Sequence, residues 1–152
     1  MGVMEELNER IKNSEPSFIS RAIQPTFDWN TSIGYLQHCA DNELGEPVDI
    51  LTYRLPVADQ VDSIRPVTEY LSENIDGEIL GTDLYVTLST VNAQKYTSKN
   101  DSIVWITSGD ADLTYNEDTR YVTPGDLLFV PRNNDYIMKA KSALAFVVFS
   151  LR

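Results

Sequence analysis

Thiol and imidazole are nearly absent from this sequence: Cys39 is its one cysteine and His38 its one histidine among 152 residues. A lone cysteine excludes an intrachain disulfide and a four-thiolate zinc site, and it suits a reducing compartment. Basic side chains are scarce too. Lys and Arg total 12 against 23 Asp and Glu, a formal charge of −11, which repels a phosphate backbone and argues against nucleic-acid binding. The longest apolar run, Ala143 to Phe149, is far short of the roughly 20 residues that cross a bilayer as a helix. The opening Met1-Gly2-Val3-Met4-Glu5-Glu6 has no cationic stretch before an apolar core, and Glu6 stands where an N-myristoylation pattern takes Ser or Thr. A soluble, cytoplasmic protein without membrane contact is expected. A glycine-rich phosphate loop, a Gly-x-Ser-x-Gly elbow and a zinc-helix motif are also missing, which removes most enzyme classes.

What is present is an ordinary globular composition, 42% hydrophobic and 23% charged, enough for one domain over residues 1–152 that buries roughly two thirds of its unfolded surface. Charge divides it. Residues 1–80 hold 15 acidic and 5 basic side chains, whereas residues 81–152 hold 8 and 7. The first part reads as helix-rich. Val3, Met4, Leu7 and Ile11 recur at helical spacing, with acids early and Arg10 and Lys12 late, as the helix dipole prefers. Asp28 or Asn30 can cap a second helix with Trp29, Ile33, Leu36 and Gln37 on its buried face, ending before Gly45-Glu46-Pro47. Val48 to Leu55 reads as one strand, and Pro66 opens a helix through Val67, Tyr70 and Leu71 that stops near Asn74 to Gly77.

Beyond Gly81 the apolar period falls to two. Strands are predicted at 83–91, 102–108, 111–116, 119–122, 126–130, 135–139 and 143–150, separated by Gly, Pro, Asn and Asp turns. So many short strands in so few residues imply a sandwich or barrel, with the helices packed outside it.

Few side-chain clusters in this pattern point to chemistry. His38 and Cys39 are neighbours, and adjacent helical positions do not face each other, so a base and nucleophile pair is disfavoured. Asp41, Glu43, Glu46 and Asp49 lack the loop spacing and central glycine of a calcium loop and read as a solvated acidic face. Asp110 and Asp112 fall on one side of a turn or strand, where a catalytic pair would need a deep cleft to raise one pKa. Trp29 and Trp105 read as core. Arg132, Lys139 and Lys141 suggest a small basic patch that would meet the acidic half of another copy, so a homo-oligomer or a protein partner is expected.

The stretch Tyr121-Val122-Thr123-Pro124-Gly125-Asp126-Leu127-Leu128-Phe129-Val130-Pro131-Arg132 is a tight turn, a buried strand and a proline stop. It resembles the second conserved strand region of the cupins, most closely the JmjC-like or ribosomal-oxygenase-like 2-oxoglutarate and iron(II) oxygenases. Asp83 to Val91, Ile103 to Gly109 and Leu113-Thr114-Tyr115 are similar to that family's metal-bearing strand pair and its glycine turn. The likeness covers residues 83–150 and implies a cupin-like double-stranded β-helix, or jelly roll, mainly β with N-terminal helices.

The resemblance also implies an iron held by two histidines and one carboxylate, with open positions for 2-oxoglutarate and oxygen. Placed on this sequence, the His-x-Asp pair falls on Tyr96 and Ser98 and the distal histidine on Tyr136. None is retained, and with His38 alone a two-histidine site within one chain is impossible. The nearest alternative donors are Asn100, Asp101 and Asp135. The basic residues that often follow the family's glycine turn are replaced by Asp110, Ala111 and Asp112, which would repel a dicarboxylate.

The expected function is therefore that of a non-catalytic, metal-free module for binding or assembly, with no cofactor. A ligand would enter at a barrel mouth near Tyr96, Ser98, Trp105, Tyr136 and Arg132. The alternatives are an oxygenase with an atypical site, using iron(II) and 2-oxoglutarate at Tyr96, Asp101 or Asp135 and Tyr136, and a small-molecule sensor. The sensor's cavity would be lined by Tyr85, Tyr96, Trp105, Tyr115 and Tyr136. The bland alternative is that Tyr96 and Tyr136 fill the space that a metal takes in the family.

Overall fold

A computed structural model describes residues 2–25, 46–49, 52–56, 64–87 and 90–152. The helix expected from Asp28 or Asn30, with Trp29, His38, Cys39, Asp41 and Glu43, lies outside them. Helix α1 runs Val3–Asn13, with Glu5 and Glu6 in its first turn and Arg10 and Lys12 in its last, and it buries Leu7. Helix α2, Arg65–Asn74, has Pro66 in its first turn and buries Val67 and Leu71.

Between and after them come β1 (Ser17–Ile19), β2 (Glu46–Asp49), β3 (Thr52–Pro56), β4 (Ile79–Thr87), β5 (Gln94–Ser98) and β6 (Ser102–Ser108). The last five strands are β7 (Ala111–Tyr115), β8 (Asp118–Val122), β9 (Leu127–Val130), β10 (Asn134–Ala140) and β11 (Leu144–Leu151). One sheet has the order β1-β9-β6-β11-β4-β3-β2 and the other β5-β10-β7-β8. All pairs are antiparallel. The fold is mainly β, a jelly-roll sandwich with N-terminal helices.

Several expectations need correction. The single strand expected over Val48 to Leu55 is two, β2 and β3, paired antiparallel with Asp49 opposite Thr52. β4 lies four residues earlier than the alternation suggested, and β1 and β5 were not expected as strands. The acidic first 80 residues thus add three strands to the larger sheet besides their helices.

The larger sheet is covered on both faces, and alternation along each strand assigns its side chains to one cover or the other. Leu84, Val86, Ile103, Trp105, Phe129, Val147 and Phe149 form one core with Leu7 of α1 and Val67 and Leu71 of α2. Val104, Ile106, Leu128, Phe146 and Val148 form a second with Tyr96, Leu113, Tyr115, Tyr136 and Met138 of the smaller sheet. The described residues are layered as helices, seven strands and four strands.

Two turns fix this stacking. Gly109, between β6 and β7, has φ +76°, and a Cβ there would stand 2.1 Å from the Ala143 carbonyl oxygen, so the close approach of backbones requires glycine. Asp126, buried after the Pro-Gly turn, accepts backbone N–H bonds from Arg21 at 2.8 Å and Thr123 at 2.9 Å. It ties the segment after β1 to the start of β9. Among the described residues no helix is long and apolar enough to cross a membrane.

Candidate functional site at the barrel mouth

A cavity of about 300 Å³ opens between the two sheets. Its position follows from register. On the larger sheet Tyr85 lies opposite Phe146 and Asp83 opposite Val148, with Ser150 opposite Ser102 farther out. Residues two apart share a face, so β11 presents Phe146, Val148 and Ser150 in order from floor to rim. On the smaller sheet Tyr136 of β10 lies directly opposite Tyr96 of β5, and Ser98 follows Tyr96 on the same face.

The floor is a box of rings. Tyr96 stacks on Tyr136 with centroids 5.4 Å apart, and it meets Tyr85 and Phe146 edge-on at 5.1 and 5.3 Å. Tyr85 stacks on Phe146 at 5.0 Å. Offset and edge-to-face contacts of this kind are the favoured aromatic geometries. Burial, with Tyr85 and Tyr96 beside it, holds the Tyr136 phenol well above the usual tyrosine range, so it is protonated at neutral pH.

The structure brings Tyr96, Ser98 and Tyr136 into this one cavity. Trp105 is elsewhere. It alternates with Val104 and Ile106, so it faces the helices, where its Nε1 donates to the Ile23 carbonyl at 2.7 Å. The strand is buried along its whole length, and no polar side identifies which face looks into the barrel. Tyr115 packs inside the sandwich but opens toward a separate groove beside Phe18 and Arg120. Arg132 is exposed beside the Asp101 carboxylate, which also accepts the Arg132 backbone N–H at 2.8 Å, and it does not line the cavity.

The expected basic patch does not form. Arg132 lies in the turn before β10 and Lys139 near the strand's far end, and Lys141 lies 3.7 Å from Asp112. Asp135, adjacent to Tyr136, points to the opposite face and bonds Thr97 and Lys95. Neither Asp101 nor Asp135 lines the cavity. Asp110 accepts hydroxyl bonds from Ser142 and Tyr121, which hold its carboxyl below the usual range. A catalytic acid would need the reverse shift.

The sequence reading missed all three charged residues of the described lining, Arg54, Asp83 and Lys99, along with the smaller Thr97, Ser102, Val148 and Ser150. Asp83 and Tyr85 share a face by strand alternation, and Lys99 follows Ser98, so both were within reach of a correct strand register. Arg54 was not, because only the pairing of β3 with β4 puts it opposite Tyr85.

The residues do not suit the iron site that the resemblance implies. Hydroxyls stand at all three implied ligand positions, and the described residues contain no group of three or more His, Cys, Asp or Glu able to hold a metal. With one histidine in the whole chain, the two-histidine donor set cannot be assembled from a single copy.

No family model matches the sequence, and no curated protein matches it. Solved structures do. The ribosomal oxygenase YcfD from Escherichia coli, in complex with cobalt and 2-oxoglutarate, superposes with a TM-score of 0.73 at 13% identity, covering 91% of this chain and 48% of that one. An X-ray structure of E. coli ycfD gives 0.77 at 12% identity, covering 100% and 53%. A variant of salicylate 1,2-dioxygenase from Pseudoaminobacter salicylatoxidans gives 0.56 at 12% identity, covering 82% and 34%. The chain spans about half the length of the E. coli protein. At these identities the likeness establishes the fold alone, a cupin-like jelly roll.

Proposed function

We propose that this chain is a cupin-like binding module that works without a metal or a redox cofactor. The observation that carries the reading is the stacked pair Tyr96 and Tyr136, cross-strand partners that stand with Ser98 where the family resemblance puts metal ligands. Protonated phenols are poor ligands for iron(II), whose triad sites draw on imidazole and carboxylate lone pairs. They are good hydrogen-bond donors on a rigid floor, and a concave, partly apolar pocket with a few polar groups is the usual form of a small-molecule site.

The cavity's volume lies at the low end for such sites, so the guest is small. An assay of 2-oxoglutarate consumption with added iron(II) and ascorbate tests the reading. The expected rate is that of buffer alone. Turnover that a chelator abolishes and that Tyr136→Phe reduces would contradict it.

A further inference from the structure

Donors outnumber acceptors around this cavity. Among the described lining residues, Lys99 adds a cation to the opposite charges of Arg54 and Asp83, in a chain whose formal charge is −11. Ammonium and guanidinium groups only donate and a carboxylate only accepts, so the balance favours a guest rich in lone pairs and carrying one negative charge. Among the described residues, Lys99 has no ion-pair partner, and no protein group bonds the side chains of Ser98, Ser150 and Tyr136. No buried polar side-chain atom there lacks a partner. The hydroxyls of Ser98 and Tyr136, in residues only 5% and 3% exposed, therefore open into the cavity.

The polarity is also graded. β11 passes from Phe146 through Val148 to Ser150, and β5 from Tyr96 to Ser98 and then Lys99. The floor is ring and methyl surface, and the rim is hydroxyl and cation. A phosphate or sulfate would leave that floor without a partner.

Building on the reading of a metal-free binding module, we infer that the cavity takes a small organic monocarboxylate. Its carboxylate sits among the Ser98 and Ser150 hydroxyls and the Lys99 ammonium, and its apolar body lies on the tyrosine floor. The charged hydrogen bonds at the rim are the stronger kind, and they distinguish this guest from a neutral molecule of the same shape.

Calorimetric titration of the full chain at constant ionic strength with benzoate, benzamide and benzylammonium tests this. Benzoate should bind at one per chain and at least about tenfold more tightly than either analogue, the size of one charge-assisted hydrogen bond. Lys99→Met, a change at an exposed rim residue, should weaken benzoate by about tenfold, and Ser98→Ala by about threefold, with near-ultraviolet circular dichroism unchanged. Benzamide or benzylammonium binding as tightly as benzoate, no benzoate binding, or an unaltered Lys99→Met variant would overturn the ligand class. Iron-dependent turnover in the preceding assay would instead remove the reading beneath it, so the two failures are separable.

Discussion

Replacing Tyr96 by histidine, Ser98 by aspartate and Tyr136 by histidine in one chain should create a divalent-metal site at the positions where the family resemblance puts ligands. The backbone is already placed for it. Tyr96 and Tyr136 are direct cross-strand partners, and position 98 lies on the same face as position 96. Imidazole is smaller than phenol, so neither histidine overpacks the box formed with Tyr85 and Phe146. Affinity for manganese(II) should rise at least about a hundredfold over the natural chain, equivalent to about 2.7 kcal/mol. Calorimetry reads the gain, and circular dichroism checks that the variant is folded. A folded triple variant with no gain would mean that these positions do not have the geometry of a metal site.

Trp105→Ala should be among the most destabilising single changes in the chain. The ring is fully buried and lies 6.4 Å from Phe149, and its indole N–H satisfies the Ile23 carbonyl. Truncating a buried tryptophan to alanine costs about 3 to 5 kcal/mol, a large part of a typical domain's 5 to 15. Urea denaturation measures it. The milder Trp105→Phe leaves the Ile23 carbonyl unbonded and should cost about 1 to 3 kcal/mol. Benzoate affinity of Trp105→Phe should not change, because the ring faces the helices rather than the cavity. Loss of binding without loss of stability would place Trp105 in the site and contradict the layer assignment.

How far the sequence could be read depended on whether a residue's environment is local. Alternation and turn residues located β6 through β11 closely, because those strands are short and bounded by Gly109, the Asn116-Glu117 turn, Pro124-Gly125 and Pro131. α1 and α2 were legible from apolar spacing and from Pro66. β5 was not, because Gln94-Lys95-Tyr96-Thr97-Ser98 carries one apolar side chain in five, although its family-derived positions Tyr96 and Ser98 proved to face the cavity. Trp105 is the core residue the sequence suggested, and only its second assignment, to the barrel mouth, failed, for the opposite reason. A strand buried on both faces shows no phase, and only the pairing of β6 with β9 and β11 assigns its two sides. Arg54 needed a contact between β3 and β4 that no local pattern encodes.

The claim that this cupin-like barrel has exchanged its metal for a tyrosine floor is tested most directly by titrating metal-stripped natural protein with iron(II) under anaerobic conditions, with and without 2-oxoglutarate, in a calorimeter. No saturable binding near one ion per chain is the predicted result. Tight binding at that stoichiometry, strengthened by 2-oxoglutarate, would contradict it.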